Sequence, residues 1–298
     1  MPHPDDLEPP VRAMVDATHA GASEALLLTP GTSRVGVLVT PAADCSPQLL
    51  TIQAWANELG VEVVELGTSA EPNHCDPGCQ LVIALGGDGT ILRALQLSMA
   101  NHAAVLGVNF GHVGFLADIH RNDLAEALDA IARGEAGVDE RTALVTDLEM
   151  EDERHVIAFN DVVVTRVPGF GTARLHLNVG GTSLFPLIGD GLVIASPTGS
   201  TAYTVGAGGP AVAPALDAIV LTPLATQGSP LRSLVVEGSD TVRIEMDPDS
   251  APLTVEIDGR TVYEMTPSAA LQVHAAPRKA RLVRTRPRTF YEDLASRI

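Results

Sequence analysis

The sequence predicts an α/β N-terminal domain built on a parallel sheet, followed by a β-rich C-terminal domain. Three observations carry that expectation. Between residues 33 and 111 short apolar runs alternate with helix-patterned segments, and continuous apolar strands separated by helices imply a parallel sheet covered on both faces. Near residue 140 the texture changes to short strands of period two: Leu175, Leu177 and Val179, then Val242, Ile244 and Met246, then Leu253, Val255 and Ile257. A length of 298 residues fits about two domains, and 45% hydrophobic residues supply a core for each.

In chain order, residues 1–30 read as an extension, acidic and proline-rich at its start (MPHPDDLEPP), with a short helix near 11–28. SRVGVLVT (33–40) is the first strand. SPQLLTIQAWANELG (46–60) is a helix opening on a capping Ser46, with Leu49, Leu50, Trp55 and Leu59 near helical spacing. VEVVEL (61–66) and LVIAL (81–85) are strands, and a helix follows the second directly. HAAVLGVNFG (102–111) supplies another strand, and DLAEALDAIARGEAG (123–137) a helix closed by glycine. The α/β domain is thus expected over 31–140 and the β-rich domain over 141–281, with a tight turn at Asp258-Gly259. Residues 282–298 return to helix-like spacing.

The formal charge of −18 and a pI of about 4.7 repel nucleic-acid backbones and anionic lipid, so neither is an expected partner. Backbone amides still bind small anions locally. No run approaches the ~18 apolar residues that cross a bilayer, and the N-terminus is the opposite of a secretion signal; a cytoplasmic protein is expected. Cys45, Cys75 and Cys79 form no disulfide framework, and HCDPGC (74–79) fits no usual zinc spacing.

The chemistry is concentrated in three segments. In GGDGT (86–90), Asp88 sits where an apolar strand turns into a helix, the place in an open α/β sheet where ligands bind. Gly86, Gly87, Gly89 and Thr90 form the expected phosphate loop, since glycines let backbone N–H groups approach phosphate and the helix start adds positive partial charge. A carboxylate there repels phosphate, so it should face a hydroxyl awaiting deprotonation or a metal ion bridging phosphates. A helix-capping Asp is the plainer alternative. Neither G-x-x-x-x-G-K-[ST] nor G-x-G-x-x-G occurs, and the chain has a single lysine, Lys279. The second segment, IGDGLVIASPTGSTAYTVGAGGP (188–210), packs small and hydroxylated residues around Pro197 after an apolar strand. That density suits neutral hydrogen bonding to sugar, phosphate and base edges. The third is Asn160-Asp161 between Phe159 and the apolar Val162–Val164, where polar side chains must find partners or cost stability.

Together and in this order, GGDGT (86–90), VNFGHVGFL (108–116), ERTAL (140–144), ND (160–161), GDGLVIASPTGSTAY (189–203), AGGP (207–210), AIVLTPL (218–224) and RTFYEDL (288–294) resemble the NAD kinase family over roughly residues 33–298. The resemblance implies the fold read above, of the NAD kinase and diacylglycerol kinase-like type, with the 282–298 tail rejoining the first domain. It implies phosphoryl transfer from ATP or polyphosphate, with Mg²⁺ or another divalent cation, to the adenosine 2′-hydroxyl of NAD. It also implies a homodimer or homotetramer with the site near a subunit contact. By the same resemblance Asp88 is the general base, a role that contributes on the order of 10²–10⁴-fold, and Gly89 touches the same ribose. Asn160 reads adenine and Asp161 partners the ribose hydroxyls. Thr198, Thr201 and Ala202 wall the adenine pocket opposite Phe115; Asp190 and Tyr203 meet the nicotinamide end; Arg174 is a further ligand contact. Family members hold donor phosphates without a Walker lysine, and Arg93 and Arg141 are candidate sources of positive charge. The sequence departs from the family pattern at Ile188, Gly206, Gln227 and Arg260. A lipid or small-molecule kinase of the same superfamily and a non-catalytic NAD(P)-binding regulator are the alternatives at this point.

Overall fold

The computed structural model describes residue 28 and residues 33–71, 78–111, 114–117, 119–148, 154–228, 232–267, 269–286 and 289–296. The helix expected near 11–28, apart from Leu28, and Cys75 lie outside them. The first domain runs β1 (Arg34–Val39), α1 (Ser46–Leu59), β2 (Glu62–Thr68), β3 (Cys79–Leu85), α2 (Asp88–Ser98), β4 (Ala104–Asn109), β5 (Ile119–His120), α3 (Leu124–Ala132) and β6 (Gly137–Arg141). The second opens with β7 (Leu144–Leu148), β8 (Arg154–Ala158), β9 (Asp161–Arg166), β10 (Ala173–Val179), β11 (Thr182–Ser183), β12 (Leu187–Gly189), β13 (Gly191–Ala195) and the single-turn α4 (Tyr203–Gly206). It continues with β14 (Ala218–Leu224), β15 (Leu234–Glu237), β16 (Val242–Met246), β17 (Leu253–Ile257), β18 (Arg260–Met265) and β19 (Ala270–Ala275). Then come β20 (Ala280–Arg284) and α5 (Phe290–Ala295).

The first sheet has the order β2-β1-β3-β4-β20-β6, with β5 beside β4. β2, β1, β3, β4 and β20 pair in parallel and β6 runs antiparallel on β20. β4 is buried along its length and β3 everywhere but Gln80, because both faces are covered. Ile52 and Trp55 of α1 and Leu128 of α3 pack on Val35, Ile83 and Leu106 on one face. Ile91 and Leu95 of α2 pack on Val82 and Val105 on the other. Ser46 is not the cap of α1: it is the first helical residue, and Asp44 Oδ1 accepts its N–H at 3.0 Å. Pro47 accounts for that register, since its missing N–H costs nothing in a first turn.

The second domain is a sandwich of two antiparallel sheets, β11-β10-β16-β19-β7-β8 with β12 beside β10, and β15-β14-β13-β9-β17-β18. Leu175, Ile244 and Leu271 from one sheet meet Val164, Ile194 and Val255 from the other, which is why these strands alternate. β9 and β13 do not alternate. Their second faces, Val163, Val193 and Ala195, are covered by Val212, so the segment after β13 folds back over the sheet. Phe159 and Ala143 join the core beneath α2 and bind the two domains together.

Candidate active site

The GGDGT turn is held from below. β3 delivers Gly86, whose N–H donates to Val108 O at 2.9 Å, and a side chain on Gly86 would overlap Thr90. Gly87 and Gly89 are different: both are exposed, and a Cβ on either would meet nothing within 4 Å among the described residues. Their value is the open space they leave over the first turn of α2.

Asp88 does not cap α2, since Gly87 occupies that position. Its Oδ2 accepts the Phe115 N–H at 3.0 Å, and its Oδ1 is buried with no hydrogen-bond partner among the described residues. A side chain on Gly114 would overlap this carboxylate, so the 114–115 backbone lies directly against it. A buried, unsatisfied carboxylate oxygen carries a desolvation cost of about 1–3 kcal/mol or more. A donor arriving in the site, such as a ribose hydroxyl, relieves that cost.

Asn160 and Asp161 stand at the entry to β9, on a turn gripped by one carboxylate. Asp258 Oδ1 accepts the N–H groups of Asn160 at 2.7 Å and Asp161 at 3.2 Å, and both of its oxygens lie about equally near the Phe159 N–H. Gln96 Nε2 adds a bond to Asp258 Oδ2 at 3.0 Å. With the backbone amides thus occupied, the Asn160 side chain stands half-buried at the turn. Asp258 (φ 48°) and Gly259 (φ 75°) make the two left-handed steps of a tight hairpin turn. Burial pushes the Asp161 carboxyl up to about 7, helped by the Asp258 charge and opposed by a hydrogen bond from the Tyr203 backbone. Burial also raises Asp258, against the backbone N–H groups that favour its charged form.

The 196–204 segment is a built loop and not a solvent loop. Ser196 through Ser200 are buried. Ser196 N–H donates to Asn160 O at 2.9 Å and its hydroxyl to Phe159 O, tying the loop to the Asn160 turn. Ser200 Oγ donates to Pro197 O at 2.6 Å and accepts Val212 N–H at 2.8 Å. A side chain on Gly199 would overlap the Asn160 backbone, so the loop and turn touch main chain to main chain. Thr198 Oγ1 is buried without a partner among the described residues, a polar atom left for something else to satisfy. Ala202 and Tyr203 are exposed at the rim.

On the far side of the GGDGT turn lies a cleft of about 270 Å³ lined by Ser69, Gly87, Gly89, Thr90, Arg93 and Arg260, with Gln96 and Asp258 at its base.

Family models for the N-terminal and C-terminal domains of ATP-NAD kinase match residues 44–136 and 159–285, well over half of the chain. The chain belongs to the NAD kinase family. The NAD kinase of Heliobacterium modesticaldum is 35% identical over 279 residues, covering 89% of this chain and 98% of its own. NAD kinase 2 of Streptomyces coelicolor is 30% identical over 296 residues, 96% of this chain and 94% of its own. Two solved structures share the fold: a yeast NADH kinase complexed with NADH (TM-score 0.75, 21% identity, 89% and 87% of the two chains) and an NAD kinase from Archaeoglobus fulgidus with ATP (TM-score 0.70, 23% identity, 88% and 97%).

Within this NAD kinase fold, the structure joins Asp88 to Phe115, and Asn160, Asp161, Gly199 and Tyr203 to one another. Asp190 forms an ion pair with Arg166 at the junction of β12 and β13. Arg174 is exposed on β10, in register with Ile188 and with its N–H on Ser250 Oγ. Arg93 lines the cleft, whereas Arg141 is buried against Asp139 at 3.1 Å and pulled down to about 10 by burial and by Arg284. Sequence reading missed Gln96 and the gripping role of Asp258, which it took only as half of a turn dipeptide. The available signal was a carboxylate, rather than asparagine, before the turn glycine.

Proposed function

We propose that this NAD kinase family member transfers the terminal phosphoryl group of ATP or polyphosphate to the adenosine 2′-hydroxyl of NAD, giving NADP. The observation that carries the reading is the buried Oδ1 of Asp88, unpartnered among the described residues, beside an open glycine turn. The 2′-oxygen forms the new bond to phosphorus as the bond to the leaving phosphate breaks, and the hydroxyl proton passes to Asp88. Asn160 and the wall of Thr198, Thr201 and Ala202 read the adenine, with Asp161 at the ribose. Gly89 lies against the same sugar. Asp190, Tyr203 and Arg174 are assigned to the rest of the dinucleotide. A divalent cation fits the turn, because Asp88 offers a hard oxygen and the open space admits phosphates and water as its remaining ligands. When bound, such an ion neutralises charge on the transferred group. The enzyme is assigned to the cytoplasm and to a homo-oligomer. The test is a coupled NADPH assay with NAD, Mg²⁺ and either ATP or polyphosphate. NADPH that depends on donor and on Asp88 supports the reading; equal turnover by Asp88→Asn would remove Asp88 from the chemistry.

A further inference from the structure

Gln96 lies on α2 about two turns beyond Asp88, half-buried where the helix meets the second domain. Its Oε1 accepts Arg93 Nη1, from one turn back on the same helix, at 2.9 Å. Its Nε2 donates twice across the domain boundary, to Ile157 O at 3.1 Å and to Asp258 Oδ2 at 3.0 Å. A carboxamide has one acceptor oxygen and two N–H donors, so this set of partners allows a single orientation. Turned over, the oxygen would face a carbonyl and a carboxylate, and the NH₂ group would face an arginine. Arg93 therefore holds the amide the way round that Asp258 needs.

From Asp258 the bonds run on into the site. Its Oδ1 accepts the Asn160 N–H at 2.7 Å, and Asn160 O in turn accepts the Ser196 N–H at 2.9 Å. The Asn160 turn and the start of the 196–204 loop are thus one hydrogen-bonded piece, and Gln96 ties that piece to the helix that begins at Asp88. Phe159, Ile91 and Leu95 share the apolar core at the same boundary. Apolar burial is non-directional and tolerates sliding, whereas hydrogen bonds of fixed length and angle do not.

We infer that Gln96 is a positioning residue: its amide, oriented by Arg93, sets the Asn160 turn and the 196–204 loop in register with the helix that carries Asp88. It acts through Asp258 and the Asn160 backbone. The roles of Asp88 and Asn160 rest on the kinase reading proposed above; the bonded link between their segments does not.

The experiment is calorimetric titration with NAD, together with steady-state kinetics, on the full chain. The variants are Gln96→Met, which keeps the length of the side chain and removes its amide, Asp258→Asn, and the two combined; melting temperatures show which are folded. Gln96→Met should weaken NAD binding about tenfold. It should also lower kcat about tenfold, because a small displacement of acceptor from base is costly, and leave the donor KM unchanged. In the double variant the two losses of NAD affinity should overlap, since both substitutions cut one link. Parental NAD affinity and kcat in folded Gln96→Met overturn the proposal, whatever its melting temperature, and so do losses that add in full. Should Gln96→Met not fold, Arg93→Met removes only the orienting donor and must also weaken NAD; parental affinity there overturns the proposal. A parent protein that binds NAD and forms no NADP removes the kinase reading and leaves the calorimetric comparison to decide on Gln96. A parent that binds no NAD overturns both.

Discussion

Gln96 Nε2 donates to Asp258 Oδ2 at 3.0 Å, joining the helix that begins at Asp88 to the carboxylate that holds Asn160. The same amide reaches Ile157 O at 3.1 Å. Two side chains therefore set the distance between the proposed base in one domain and the proposed adenine reader in the other.

Replacing Asp258 by asparagine should loosen that link. One carboxamide oxygen cannot serve the backbone N–H groups of 159, 160 and 161 as a carboxylate does, and its NH₂ meets donors. A destabilisation of about 1–3 kcal/mol is expected, with a raised KM for NAD. Denaturant midpoints and steady-state kinetics check both; an unchanged KM would confine Asp258 to stability.

Asp88→Asn should separate chemistry from folding. Turnover is expected to fall on the order of 10²–10⁴-fold, while NAD affinity stays within a few-fold. The melting temperature should hold or rise, because the substitution replaces a carboxylate of which one oxygen is buried without a hydrogen-bond partner among the described residues.

Asp161 predicts a pH dependence. Its carboxyl is raised in the fold from 3.8 to about 7, so between those values the native state binds more protons than the unfolded chain. Stability from this group therefore falls as pH rises across that window and levels above it. Thermal melts from pH 4 to 8 should show Asp161→Asn gaining on the parent as pH rises; parallel curves would contradict the assigned burial.

Two glycines make opposite kinetic predictions. A methyl at Gly114 strikes the Asp88 carboxylate, and one at Gly199 strikes the Asn160 backbone. Gly114→Ala should lower kcat about tenfold or more, with little change in the KM for NAD, since a small misplacement of a catalytic group is costly. Gly199→Ala should chiefly raise the KM for NAD. The two kinetic constants, measured side by side, distinguish them.

Sequence by itself determined the architecture, because burial leaves a periodic record. The apolar runs of β3 and β4 report a sheet covered on both faces, and Leu175, Leu177 and Ile244 report one covered on a single face. It also singled out Asp88, Asn160 and the 196–203 loop, since polar and glycine-dense segments beside apolar strands need partners that a plain core does not supply. Tertiary structure alone decided which groups meet. Gln96 and Asp258 are 162 residues apart and Arg93 and Arg260 come from different domains, so no local spacing records either pair. Nor could spacing tell Arg93, which has no carboxylate partner among the described residues, from Arg141, which Asp139 and burial commit to the fold. Local pattern carries the period of each element; long-range contact and desolvation decide what each charge is for.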